Sequence, residues 1–379
     1  MFSCMHTWKK TTMASYKNFL FLGLLGLFGA SWGATELCGM LYMPTTLSKA
    51  KSPYLITGDL LVPAASRLTI EAGVELQIAE KSTCADESKQ RDWADSQFVS
   101  LKIEGAFYVK GTPEAPVSIH PVHPVPGKVS WDGIRISNQK STSAKISFLD
   151  ISGANRGLQV KMSEFTVENS FFVDNNIGIW LGEKANILVS NSLFSSNVSA
   201  GIYLEHAAPT LTTNIFVDNP TYGIWADSRK GLSVNNNLFW KNSEANCFHC
   251  PAEIGKRAAI NAKGDSVDSH ANLMSDPLFL GSAGATHKQQ LDPNTPTPSN
   301  AVVDTNLQKL HTKADSIGKA GLAPHKTYVP QGVGTWRLSQ YSPAIDAAPD
   351  DKAFLDANGT RGDIGPWGAT AKYQRKVGE

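Results

Sequence analysis

The sequence predicts an all-β chain wound into a three-sided parallel solenoid, and three observations predict it. First, Phe172, Phe194, Phe216 and Phe239 recur at steps of 22, 22 and 23 residues. Second, other columns keep that step: Val167, Val189, Leu211 and Val234 stand five residues before each Phe, and Asn175, Asn197, Asn219 and Asn242 stand three after. Third, three units continue as Gly178-Ile179-Trp180, Gly201-Ile202-Tyr203 and Gly223-Ile224-Trp225. Short strands broken by polar turns cannot bury their faces alone, whereas stacked coils give each strand a partner above and below. A period near 22 suits three strands per coil, with rungs about 4.8 Å apart.

Each column then has an expected place. The Phe and Val columns are expected to fill the interior, and another apolar residue, Phe171, Leu193, Ile215 or Leu238, stands just before each Phe. The Asn column is expected at a tight turn, where Asn tolerates left-handed φ and its amide bonds along the stack. In the Gly-Ile strands, Ile179, Leu181, Ile202, Leu204, Ile224 and Ala226 are expected to face inward, so Trp180, Tyr203 and Trp225 face outward on consecutive rungs. The same pattern extends outward in looser form through Ile56–Val62, Leu68–Val74, Leu101–Gly105, Trp131–Ile136 and Asn155–Val160. These segments alternate with period two and are punctuated by Gly.

At this point the chain resembles the bacterial right-handed parallel β-helix proteins of the pectin-lyase-like superfamily. The resemblance rests on Gly58-Asp59, Leu68-Thr69-Ile70, Gly111-Thr112-Pro113-Glu114-Ala115-Pro116, Trp131-Asp132-Gly133-Ile134 and the Asn-x-x-Gly-Ile repeats. It continues through Asp276-Pro277-Leu278-Phe279, Ser342-Pro343-Ala344-Ile345-Asp346 and Asp363-Ile364-Gly365, and covers roughly residues 55–368. It implies a right-handed three-sided parallel β-helix as a single domain. Within it the expected parts are an N-terminal cap at 35–55, core coils at 56–280, a long insertion at 281–335 and a C-terminal closure at 336–379. These motifs are specific for fold and weak for activity, since the superfamily holds lyases, hydrolases and binding proteins. The insertion breaks the period, as do 80–98 and 243–270; such stretches are expected to be lids, binding loops or caps.

Residues 1–34 read as a cleaved export signal: Lys9, Lys10 and Lys17, then the apolar run Phe19 to Phe28, then small residues. No second long apolar run follows, so no membrane span is expected after cleavage. Its removal takes three lysines and no acid from a formal charge of +1, leaving −2. That balance carries no basic excess of the kind nucleic-acid binding needs. The expected location is periplasmic, cell-surface or extracellular. Cys38, Cys84, Cys247 and Cys250 remain, which reads as two disulfides among three connectivities. Locality favours Cys38–Cys84 and Cys247–Cys250. The C-x-x-C could instead open a metal site, although no second thiol or imidazole pair lies at a suitable spacing.

The outward Trp180, Tyr203 and Trp225 stripe is the candidate binding face, with Gln159 and Arg135 in the same column below it. Flat aromatic faces stack sugar rings, and large outward aromatics mark interaction surfaces. The competing expectation is that the 281–335 insertion lies across the stripe. The next outward column reads Lys161, Gly182, Glu205 and Asp227. Glu205 and Asp227, one rung apart, approach the spacing of a retaining glycosidase pair, so either one pKa rises or a cation such as Ca²⁺ bridges them. A lyase would instead need a cation site for the substrate carboxylate and a Lys or Arg base, for which Lys161, Arg135 and Arg156 lie on nearby rungs. The bland alternative is a pair of solvated acids at strand ends. His206, Arg229 and Lys230 read as turn residues, His120 and His123 as loop residues, and Asp346, Asp356, Arg361 and Asp363 as turn or cap residues. No Gly-His-Gly, Asn-Thr-Asp or Arg-x-Pro-x-x-Arg occurs. The expectation is therefore an exported protein that binds or processes a polysaccharide or cell-surface glycan, as lyase or glycoside hydrolase. The alternative is a non-catalytic structural or glycan-binding β-helix.

Overall fold

The computed structural model describes residues 34–84, 98–139, 143–227, 231–279, 336–338, 342–349 and 361–366. Each coil supplies three strands, and a strand pairs in parallel with the third strand after it, so eight coils build three stacks. The first stack runs from Thr45–Leu47 through Arg67–Glu71 to Ser233–Asn235. The long strand Tyr54–Val62 bends across two stacks. Its first half pairs with Glu75–Ile78 in the second stack and its second half with Ser100–Ile103 in the third. The second stack ends at Leu238–Trp240 and the third at Ala245–Phe248. Thr35–Met40 pairs along both halves of Tyr54–Val62 and covers the N-terminal end.

The interior is built as the repeat predicts. The four Phe rings are buried and stacked at centroid separations of 5.0, 4.9 and 5.1 Å, with interplanar angles no larger than 16°. Such aromatic pairs add about 0.5–1.5 kcal/mol each beyond the area they bury. Val167, Val189, Leu211 and Val234 lie in the same core, as do Ile179, Ile202 and Ile224. Four glycines just before the Ile column, Gly157, Gly178, Gly201 and Gly223, are needed for space. A Cβ at Gly178 or Gly201 would sit 2.5 or 2.7 Å from the carbonyl oxygen of the next glycine in the column.

The turns differ from expectation in one detail. Asn175, Asn197, Asn219 and Asn242 are buried, but the left-handed residue is the one before each: Asp174, Ser196, Asp218 and Lys241. That residue reverses the chain, and the following amide points inward, where it bonds to its neighbours. Asn197 Nδ2 donates to Asn219 Oδ1 at 3.1 Å and to the Phe172 carbonyl at 2.9 Å. A second ladder, not legible as a column in advance, fills the other turn through Ser192, Asn214, Asn237 and Asn272. It too follows left-handed residues, Asn191, Thr213, Asn236 and Ala271.

The ends and one flank are closed separately. Cys38–Cys84 bonds beside the first coil and Cys247–Cys250 beside the last. Cys247 occupies the position after Ile224 in the inward column, so residues 245–248, expected to lie in a break, form one more rung. Asp268 then accepts the backbone N–H groups of Gly255, His270 and Asn272 and caps the second ladder. Phe171, Leu193, Ile215 and Leu238 are buried on the outside of the second stack rather than within the main core. Ala344, Ile364 and Phe279 pack on them as a second apolar cluster. The Gly365 N–H donates to the Thr213 carbonyl at 2.8 Å, and Asp363 Oδ1 accepts the Asp346 N–H at 2.9 Å. The C-terminal motifs therefore strap the flank of the helix.

Candidate functional site

The third stack places its outward side chains in one continuous column. Leu61, Lys102, Arg135, Gln159, Trp180, Tyr203, Trp225 and Phe248 are aligned rung by rung. The alternation of the strand produces this alignment, because each outward residue stands between two core residues. Trp180, Tyr203, Trp225, Gln159 and Arg135 are thus brought together as expected. Lys102 and Phe248 extend the column at its two ends. Phe248 was within reach of the repeat, 23 residues past Trp225, but its segment read as a break.

The column changes character along its length. At its foot, a shallow recess of about 70 Å³ is lined by Lys102, Arg135, Ser137, Gln159 and Lys161. Arg135 Nε donates to the buried Asp132 carboxylate at 2.6 Å, which fixes its guanidinium, and Lys102 pairs with Glu104 at 2.8 Å. Beside them Asp59 accepts the Ser100 N–H at 2.8 Å; burial pushes its pKa up, against those hydrogen bonds. Trp180 is more covered than an outward position implies, at 6% exposure. Its ring carries the Lys161 ammonium 4.9 Å and the Arg156 guanidinium 5.3 Å from the centroid. Arg156 is held in turn by Gln159 Oε1 at 2.9 Å. Contacts of this kind contribute about 0.5–2 kcal/mol each. Lys161 thus lies on the indole of Trp180 together with Arg156, another of the basic residues expected on nearby rungs.

Above Trp180 the surface is aromatic and half-buried. Tyr203 stacks toward Trp180 at 6.4 Å and meets Trp225 edge-on at 4.8 Å. Glu205 and Asp227 follow their strands on successive rungs, the N–H of each donating to the preceding rung at 2.7 and 3.0 Å. Asp227 accepts the His206 backbone N–H at 3.0 Å and pairs with the His206 ring, so His206 is held by one candidate acid. The Tyr203 phenol is pushed up by burial, then by Glu205 and Asp227, with Arg156 opposing. Both carboxylates therefore act on the same hydroxyl.

Other expected polar residues fall elsewhere. His120 is buried, its Nε2 3.1 Å from Glu75 Oε1 and its Nδ1 2.9 Å from the Pro121 carbonyl, while His123 is exposed. Arg361 Nε donates to the Ala348 carbonyl. Arg229, Lys230, Asp356, the export signal and the 281–335 insertion lie outside the described residues. Among the described residues no three His, Cys, Asp or Glu side chains are grouped to hold a metal ion. Among them, too, no helix is long and apolar enough to cross a membrane.

The family model described as a right handed beta helix region matches residues 125–271. The strand pairing carries the same coil beyond that stretch, to Thr45 on the N-terminal side. The chain folds as a parallel β-solenoid, and its residues 125–271 are similar to the right-handed β-helix family. No curated protein and no solved structure matches it.

Proposed function

We propose that this β-helix is an exported protein that binds a polysaccharide chain along the outward column of its third stack. The observation that carries the reading is the in-register run from Lys102 to Phe248. Six steps of about 4.8 Å make a track about 29 Å long. Its fixed cations and amide suit sugar carboxylates and hydroxyls, and its ring faces suit the apolar faces of pyranose units. Paired cysteines fit an oxidising compartment, which supports export. Catalysis is not needed for this reading, because Lys161 is engaged on Trp180 and Asp227 on His206.

The test is a panel of acidic and neutral polysaccharides, measured for binding by the wild type and by a Trp180→Ala, Trp225→Ala double variant. Binding lost in the variant supports the column; binding unchanged rules it out. A second reading, glycoside hydrolysis, is favoured by one observation, the two carboxylates on successive rungs that both push up the Tyr203 phenol. In that case the panel yields reducing ends, and Glu205→Ala and Asp227→Ala each abolish them. Activity that survives both substitutions excludes these residues as the acid pair.

A further inference from the structure

The upper end of the column holds more rings than the repeat required. Phe248 stands one rung past Trp225. Tyr222, on the same strand as Trp225, stacks on the Phe248 ring at 4.6 Å and 15°. The His249 ring also stacks with Phe248, 4.0 Å away at 20°. Tyr222 and Phe248 are partly exposed and His249 is exposed. Among the described residues cations lie over Trp180 and Tyr108, and none over Tyr222, Trp225 or Phe248.

Phe248 and His249 are also the two residues enclosed by the Cys247–Cys250 disulfide. Cys250 is buried in the main core and Cys247 packs against it, so both ends of this four-residue turn are anchored. His249 is held at a φ of 56°, a conformation that costs a non-glycine residue energy and needs a surrounding constraint. Among the described residues Ala245–Phe248 is the last rung of its stack, with no further strand paired beyond it. A cross-link there fixes rings that would otherwise fray.

We propose that Tyr222, Phe248 and His249 form a terminal subsite that stacks one uncharged sugar ring, and that the Cys247–Cys250 disulfide holds it in line with Trp225. The inference rests on the binding column proposed above and deepens it. The uncharged class follows from the contrast along the column: its lower half is lined by Lys102, Arg135 and Lys161, whereas its upper half carries rings beside the acidic Glu205 and Asp227, which disfavour an anionic sugar. A glycan is therefore bound with one polarity, its neutral end at Phe248.

Calorimetry of the full chain with cellohexaose and cellotriose tests this. Phe248→Ala and Tyr222→Ala are each expected to weaken cellohexaose about tenfold and to leave cellotriose, which Tyr203 and Trp225 suffice to hold, within about twofold. Cys247→Ser with Cys250→Ser is expected to match Phe248→Ala. Should that double variant not fold, the two single substitutions still decide. Wild-type affinity for cellohexaose in Phe248→Ala and Tyr222→Ala, together with a loss in Trp225→Ala, overturns the subsite and leaves the column standing. Absence of binding to either sugar by the wild type, or no effect of any of these substitutions, overturns both.

Discussion

Asn219 and Asn242 are joined through their side chains inside the turn, Asn219 Nδ2 donating to Asn242 Oδ1 at 2.8 Å. Asn219 also donates to the Phe194 carbonyl at 3.0 Å, and its own Oδ1 accepts from the Asn197 N–H and amide. One fully buried side chain therefore satisfies groups on the rungs before and after its own. Removing it strands buried donors and acceptors at about 1–3 kcal/mol each. Asn219→Ala is expected to cost roughly 3 kcal/mol or more in urea unfolding. Asn242→Ala is expected to cost less, because its neighbour Asn246 lies at the end of the ladder. Equal losses at the two positions would show that the ladder is not cooperative.

The glycine column gives a steric prediction. A Cβ at Gly201 meets the Gly223 carbonyl at 2.7 Å and Phe194 Cβ at 2.9 Å, so backbone must shift to admit it. Gly201→Ala is expected to lower the melting temperature strongly, whereas Gly127→Ser, where a Cβ meets nothing within 4 Å, is tolerated better. At Gly127 the only cost is its positive φ of 71°. Circular dichroism melts of the two variants give the comparison.

Asp150 predicts a pH effect on stability. It stands outward on the second stack between Ser118 and Phe171, 5% exposed, and burial pushes its pKa up to about 7. The unfolded chain releases this proton near pH 4, so between about pH 4 and 7 the folded state binds more protons. The Asp150 contribution therefore falls as pH rises through that window, by on the order of 4 kcal/mol at most. Asp150→Asn removes the charge and is expected to raise the melting temperature at pH 8 while changing it little at pH 4. A stabilisation of the same size at both pH values would exclude titration of Asp150 as the cause.

The cations on Trp180 predict a charge-dependent preference. Arg156→Ala with Lys161→Ala is expected to weaken hexagalacturonate binding about tenfold at low salt and to flatten its salt dependence. Cellohexaose, without charge, is expected to lose less. Equal losses for the two sugars would assign Arg156 and Lys161 to packing alone.

The two disulfides are expected to contribute unequally. Cys38–Cys84 closes a separation of 46 residues and Cys247–Cys250 one of 3. Loop-closure entropy then gives about 4 kcal/mol for the first and about 1.5 kcal/mol for the second. Guanidinium titrations of Cys38→Ala, Cys84→Ala and of Cys247→Ala, Cys250→Ala measure the difference, and a larger loss from the second pair would reverse this order.

The repeat by itself determined the coil. A column that recurs every 22 or 23 residues must stack on itself, so Phe172 to Phe239, the inward Ile positions and the outward Trp180, Tyr203 and Trp225 were all legible from spacing. The column fixed which residues share a rung, and hence Gln159 and Arg135 below the rings. Tertiary structure decided what periodicity does not encode. Lys161 and Arg156 settle on Trp180 through long side chains whose direction depends on neighbouring rungs. Phe248 joins the face because a segment that reads as a break makes one more strand. The left-handed residue falls one position before each Asn, since the amide is more stable turned inward to its ladder than spent on the reversal. Phe171, Leu193 and Ile215, apolar yet outside the main core, are explained only by the strap of Ala344 and Ile364 that covers them. Local repetition specifies the lattice of the helix; contacts between residues far apart in sequence specify which flank the C-terminal strap covers.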